Sequence, residues 1–404
     1  MNETIQNIRS KALVIGLLGT AAAGAGYVVA GPAQFFQSWL MAFLYVFAFP
    51  AGALGLLMIH HLATGRWGLV LQRPYEAAAR TFPLLALFFI PLLFGLDHLY
   101  AWVNPAAHHD HVLEHVMHHK GMYLNVQDFH VRAVIYFAVW IGLATLLVKW
   151  SRKQDENKAD AEMYGRKMRM LSGIGLVAFG LAVTFAGFDW AMSVEPKWYS
   201  SIYGAMLMVA QGLATLCLFA IIAYMLSADK RYGAVIGTQQ YHDIGNLIFA
   251  FNILWTYMGV SQFVIIWSGN LPEEVEYYIH RSHAPWPEIA IGLAVFHFGI
   301  PFALMLMKST KKNPRILARI AVWLLVMRLV DYFWMLMPAF RHKEFHLHWL
   351  DLAAPVGLFG LWLYVFLGFL KSRPFLPLND PRFADVLAHP EHKDTGWEAD
   401  ASDA

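Results

Sequence analysis

Ten long apolar runs, each near the length that crosses a bilayer, take up most of this chain. They are Leu13–Ala30, Phe35–Leu62, Thr81–Val103, Val131–Lys149, Leu171–Ala191, Tyr203–Leu226, Gly245–Trp267, Trp286–Met307, Ile316–Pro338 and Leu350–Leu370. A helix rising about 1.5 Å per residue needs roughly 20 apolar residues to cross a hydrocarbon core about 30 Å thick. With 58% hydrophobic and 14% charged residues, the 404-residue chain has too little charge to clothe a water-soluble surface. The expected fold is an all-α integral membrane protein with about ten transmembrane helices. The first run is expected to remain in the mature protein: it is long, lacks a clear small-x-small cleavage site and leads at once into a second span.

The basic residues divide by segment. Twenty-three of the 30 lysines and arginines fall in the N-terminus, the segments 64–80, 149–169, 227–240 and 308–319, and the tail. Six fall in the alternate segments: Lys120, Arg132, Lys197, Arg281, Arg341 and Lys343. Arg328 lies within a span. The positive-inside rule then places both termini in the cytoplasm, as an even number of helices requires. The opposite-side segments include the histidine-rich Asn104–His130 and the acidic Gly269–Pro285, large enough to suggest a partner there. From Pro374 to Ala404 the tail reads as an extended, partly disordered strap.

A formal net charge of +2, with no basic stripe interleaved with aromatics, gives no case for nucleic acid. The single cysteine, Cys217, excludes an intrachain disulfide, an all-cysteine iron–sulfur site and a C-x-x-C-H haem attachment within the chain. A b-type haem needs two histidines facing each other at matching depth. His297 alone sits mid-span.

An ionisable group inside a span costs about 2.5–3.5 kcal/mol on insertion scales, so each calls for a reason. In the ninth run Arg328 and Asp331 stand at i,i+3 and can pair. With His297 in the eighth run, Asn252 and Tyr257 in the seventh, and His242 and Asp243 at its cytoplasmic mouth, they outline a wet seam suited to proton movement. Asn246, Ser261 and Gln211 lie along the same helices. The competing account is that such groups only join helices by hydrogen bonds, each worth about 0.6 kcal/mol.

The first half differs. Its polar groups gather at the outer ends of the spans: Asp97 and His98, His130 and Arg132, and Asp189. A quinone site requires an apolar slot with a carboxylate or histidine to take protons from the hydroxyls, and this grouping has those residue types. Helix capping and snorkelling account for Arg132 and Asp97 equally well. His111, His115 and His118 can share one helical face at a spacing compatible with Zn²⁺ or Cu²⁺; histidines clustered on a solvated loop commonly bind nothing specific, and no metal site is assigned.

Several segments are familiar as text. Lys120, Tyr123, Leu124 and Asn125, followed by Phe129 and Arg132, match a K-x-x-Y-L-N…F…R pattern. The stretch from Phe188 through Asp189, Trp190, Ser193, Pro196, Trp198, Tyr199 and Ser200 matches DW-x-MS-x-x-P-x-WYS. Further matches are Gly245, Phe249, Trp255, Tyr257, Ser261, Gln262, Trp267 and Pro272; then Asp331, Tyr332, Trp334, Met337 and Pro338; and finally Leu376 to Arg382. On these motifs the chain resembles the NrfD/PsrC-like membrane subunits of Alternative Complex III, a bacterial quinol:cytochrome c oxidoreductase, and more closely the smaller of its two such subunits. It departs from the pattern at His130 and at Gln127 and Asp128.

The resemblance implies two four-helix bundles, spans 2–5 and 6–9, flanked by spans 1 and 10. The matching division is residues 1–33, a first bundle over 34–202 with the outer loop 104–130, a second over 203–345, a last span over 346–373 and a tail over 374–404. It implies a bacterial cytoplasmic membrane, no redox cofactor in this chain, and electron carriers in partners: a sister NrfD-like subunit, a periplasmic iron–sulfur protein and c-type haem subunits. The quinone pool and membrane lipid complete the partners. His98, Asp189 and Arg132 match residue types assigned to the family's quinone pocket, while the smaller subunit is associated with proton conduction and assembly. Outside the resemblance, two alternatives stand: an autonomous proton-coupled secondary transporter, whose sign would be paired broken helices, and a purely structural scaffold.

Overall fold

The computed structural model describes residues 2–63, 65–108, 110–341, 345–377 and 379–380. It is helical, with no strand among the described residues. The main helices are α1 (Asn2–Val29), α2 (Pro32–Ala63), α3 (Arg66–Ala79), α4 (Phe82–Phe94), α5 (His111–Lys120), α6 (Val126–Glu156), α7 (Ala161–Trp190), α8 (Tyr203–Leu226), α9 (Thr238–Gly269), α10 (Pro272–His280), α11 (Trp286–Leu306), α12 (Pro314–Leu336) and α13 (Leu350–Lys371). Among the described residues eight helices are long and apolar enough to cross a membrane, and a ninth is reached if the bent pair α3–α4 counts as one span.

Two elements depart from the ten expected runs. The run Thr81–Val103 is not one helix. Its long helix ends at Phe94, followed only by a single turn at Leu96–Leu99, and α4 joins backwards through a 40° bend to α3, which reads in sequence as a hydrophilic connection. Pro83, at the start of α4, cannot supply an amide to a continuous ladder. At the bend Thr81 Oγ1 donates to the Ala78 carbonyl (2.6 Å) and accepts from Trp362 Nε1 of α13 (2.8 Å). The second departure is α12. It is 23 residues long but carries Arg315, Arg319, Arg328 and Asp331, which take it below the apolar composition of the other spans.

Almost all of α2 is buried, so it is the central post, packed on α3, α7, α8 and α13. Its approach to α8 is close enough to exclude a side chain: a Cβ on Gly52 would lie 2.4 Å from the Gln211 carbonyl oxygen. Nearby, Pro50 interrupts the α2 ladder, and Thr215 Oγ1 of α8 donates to the Ala48 and Phe49 carbonyls (3.1 and 3.2 Å). The interior of the first half is a stack of rings, with Trp190 4.7 Å from Phe89 and 5.8 Å from Trp140, centroid to centroid. At the other edge α1 packs chiefly on α13. Gly16 and Gly19 meet Gly357 and Gly360 backbone to backbone, so a Cβ on Gly19 would sit 2.6 Å from the Gly357 Cα.

Contacts sort the connecting segments into two faces. On one, Lys371 reaches Gln6 (3.4 Å), Tyr232 donates to the Val70 carbonyl (2.9 Å), and Arg373 from beyond α13 meets Glu76 and Asp155 (2.7 Å each). This is the basic face. On the opposite face Lys120 donates to the Pro196 carbonyl (2.8 Å), Lys197 pairs with Asp110 (2.6 Å), and Arg281 pairs with Glu195 (3.1 Å). The segments that the basic-residue distribution groups together therefore do lie together. The strap expected over residues 381–404, and Lys343, lie outside the described residues.

Candidate functional site

Two buried polar clusters occupy the two halves, and they differ in how well their groups are satisfied. The first is built on Asp189, at the end of α7, which is fully buried. Arg132, about two turns into α6, grips it with two nitrogens: Nε to Oδ2 at 2.8 Å and Nη2 to Oδ1 at 2.9 Å. Tyr136, one helical turn further along α6, donates to Oδ2 at 2.7 Å. The remaining Arg132 nitrogen, Nη1, donates to the Tyr123 carbonyl (2.8 Å), and the guanidinium lies 3.9 Å from the Tyr123 ring centroid. Asn125 caps α6 by accepting from the Asp128 amide (2.8 Å), which fixes the first turn of the helix from which Arg132 projects. Every oxygen of the carboxylate has a donor.

The other polar residues of that outer grouping are not drawn in. Asp97 and His98 are exposed, and the His98 ring stacks on Phe36 (5.6 Å). His130 Nδ1 lies 2.6 Å from the Val126 carbonyl of its own helix. Trp190, Trp140, Phe89 and Phe137 pack on one another in the interior of this half, and a cavity of about 370 Å³ lined by Tyr123, Phe188 and Ser193 lies at the Asp189 end of α7.

The second cluster lies between α9, α11 and α12. Arg328, almost fully buried, has Nη1 2.8 Å from Asp331 Oδ2. The approach is off the hydrogen-bonding direction, and Arg328 Nε has no partner. His297 is fully buried, and neither ring nitrogen has a hydrogen-bond partner among the described residues. Trp255 of α9 links the two, its ring 4.1 Å from the imidazole and 5.6 Å from the Arg328 Cζ. One turn away on α9, Asn252 is fully buried with both amide atoms unpartnered, and the Gln211 Oε1 of α8 and the Tyr332 hydroxyl are likewise unmet. A buried polar group left unsatisfied costs about 1–3 kcal/mol, so a concentration of them in one place requires an account.

Local backbone supports the singularity of this place. Residues Leu293–Gly299 of α11 form a π-helical turn with His297 inside it. Such turns are rare and recur at functional sites, because the extra residue turns carbonyls out of the ladder. Here the Phe296 carbonyl accepts instead from Trp323 Nε1 of α12 (2.7 Å). Hydropathy carries no sign of it.

Of the other residues on the expected seam, Asp243 accepts from Gln239 (2.8 Å) and His242 Nδ1 faces Asn246 Nδ2 (3.4 Å), both half-buried near the start of α9. Tyr257 is elsewhere: it is 66% exposed and points away from the buried cluster. On α5, His111 turns to Glu114 (3.5 Å) while His115 and His118 each contact the His119 ring; the described residues contain no group of three side chains able to hold a metal. His109 lies outside them.

Sequence reasoning missed two charged networks. On the basic face Arg73 bonds Glu76, Ser151 and Asp155, and Arg373 closes the set from beyond α13 (2.6–2.8 Å throughout). The sequence signal for the first is the i,i+3 spacing of Arg73 and Glu76. On the opposite face Arg281 joins Glu195 to the Met335 carbonyl (2.6 Å), with His280 Nδ1 2.7 Å from the same carboxylate. Burial alone would lift the Glu195 carboxyl, but the Arg281 guanidinium and His280 outweigh it and hold the group below the usual carboxylate range.

No family model matches the chain, and no curated protein is detectably similar to it.

Proposed function

We propose that this chain is a redox-cofactor-free membrane subunit of a quinol:cytochrome c oxidoreductase of the Alternative Complex III type, and that its second half carries protons. The observation that supports proton movement is the Arg328, Asp331, His297 and Asn252 cluster: buried, ionisable and under-bonded. In a site sealed for structure alone these groups would be matched to one another, as Asp189 is. Unmatched donors and acceptors at this density suit a chain of waters, along which a carboxylate beside a guanidinium can gain and lose a proton. In this reading Asp331 is the exchanging group, Arg328 sets its affinity, and His297 lies next along the route towards the His242 and Asp243 end of α9.

The subunit assignment rests on the five sequence motifs. Their residues have definite duties: Lys120, Tyr123, Asn125, Arg132, Asp189 and Ser200 all make the bonds that roof the face opposite the basic one. That roof is the surface offered to an iron–sulfur partner and, beyond it, to c-type haem subunits. Both termini are taken as cytoplasmic, with ten spans in two four-helix bundles, α12 counted as a span because its charges face inward. Quinol oxidation is assigned to the sister subunit, since both Asp189 oxygens are already engaged.

The test is the proton count of the intact complex in sealed vesicles. Asp331→Asn is expected to assemble normally and to move fewer protons per electron. An unchanged ratio would leave scaffolding as the function of the chain.

A further inference from the structure

A groove of about 540 Å³ opens on the basic face between the α3–α4 bend, α6 and α13, and nothing above uses it. Its lining changes character along α6. Ile141, Ala144 and Val148 form an apolar wall with Pro83 and Phe369, and helical spacing then brings Lys149, Arg152 and Lys153 into line one turn further on. The passage from wall to cations takes roughly 16 Å of helix. Arg80 faces them from the bend. Its Cζ lies 4.1 Å from the Phe369 ring centroid, which holds the guanidinium at the rim. Among the described residues none of these four cations is paired with a carboxylate, because the nearby acids, Glu76 and Asp155, are taken by Arg73 and Arg373. Glu156 is the one acid lining the groove.

We propose that this groove binds an anionic glycerophospholipid, its phosphate among Arg80, Lys149, Arg152 and Lys153 and an acyl chain along Ile141, Ala144 and Val148. Cations alone would serve a free phosphate ion as well. The apolar wall continuous with them is what selects a lipid, and its position where the spans end is where a headgroup lies. A bound lipid would add to the Arg373–Asp155 pair a second tie between α6 and the end of α13.

Native mass spectrometry of the intact, detergent-purified assembly tests this with phosphatidylglycerol and, separately, phosphatidylcholine of the same acyl chains. Phosphatidylglycerol is expected to be retained preferentially. In Arg80→Gln/Arg152→Gln its affinity should fall roughly 30-fold, on the usual worth of two surface cations towards an anionic lipid. Arg166→Gln/Lys167→Gln, an exposed pair after α6, should leave it unchanged. Equal retention of phosphatidylcholine, displacement of the lipid by excess inorganic phosphate, or full binding in Arg80→Gln/Arg152→Gln would each overturn the proposal. Should that variant not fold by circular dichroism, Lys149→Gln/Lys153→Gln is read by the same criteria.

Discussion

Asp189 and Asp331 are both buried carboxylates beside an arginine, yet their surroundings are opposite. Asp189 receives two nitrogens of Arg132 and the Tyr136 hydroxyl, all at 2.7–2.9 Å. Asp331 has one off-axis contact, with Arg328, whose guanidinium lies near the Trp255 ring that also contacts the unpartnered His297. A fully bonded buried pair is locked, since removing either partner strands the other charge. An under-bonded pair leaves its protonation state open to change. The Asp189 pair therefore holds shape, whereas the Asp331 pair is held by fewer bonds.

The sharpest way to break this contrast is Asp189→Leu. It strands Arg132, and because the arginine is partly exposed the cost falls at the low end of the range for broken buried pairs, about 3 kcal/mol. Thermal unfolding in detergent should show it, with partial rescue in Arg132→Met/Asp189→Leu. Asp331→Asn should cost no more than about 1 kcal/mol by the same measurement, because few bonds are lost. A cost equal to that of Asp189→Leu would erase the distinction. His297→Phe replaces an unbonded imidazole with a ring of similar size and should raise stability by up to about 1 kcal/mol while slowing proton transfer in vesicles. Loss of stability there would show that the imidazole is bonded after all.

The smallest effect concerns Glu195. Its carboxyl is held below the usual range when folded, so its contribution is complete above the unfolded value of about 4.3 and is lost as pH falls through the lower folded value. Hydrogen exchange in residues 269–285 should quicken only below about pH 4. Quickening already at pH 6 would implicate His280 instead.

Span positions were legible because burial in lipid demands one quantity, apolar length, and hydropathy measures it directly. Where that quantity is not what decides, the reading fails. α3 reads as a polar loop because Arg73 and Glu76 look solvated until Asp155 neutralises the first from 82 residues away and Arg373 the second from 297. Tyr257 reads as part of a seam, but the face it occupies depends on helix rotation, which sparse polar residues do not fix. Arg132 and Asp189 were both picked out from sequence as polar outliers. Their bidentate geometry is a fact of three dimensions only. Arg328, Asp331, His297 and Asn252 were legible for the opposite reason: an ionisable or amide group in a span is conspicuous whatever its partner.

The glycine seam between the first and last helices bears on biogenesis. Gly16 and Gly19 find their counterparts, Gly357 and Gly360, some 340 residues later in the chain. At synthesis speeds of about 5–20 residues per second, α1 waits roughly 20 to 70 seconds before its mate emerges. During that interval it is a loose helix with an uncovered stripe of small residues, open to the wrong neighbour. Docking of α13 is thus the step that covers this stripe of small residues.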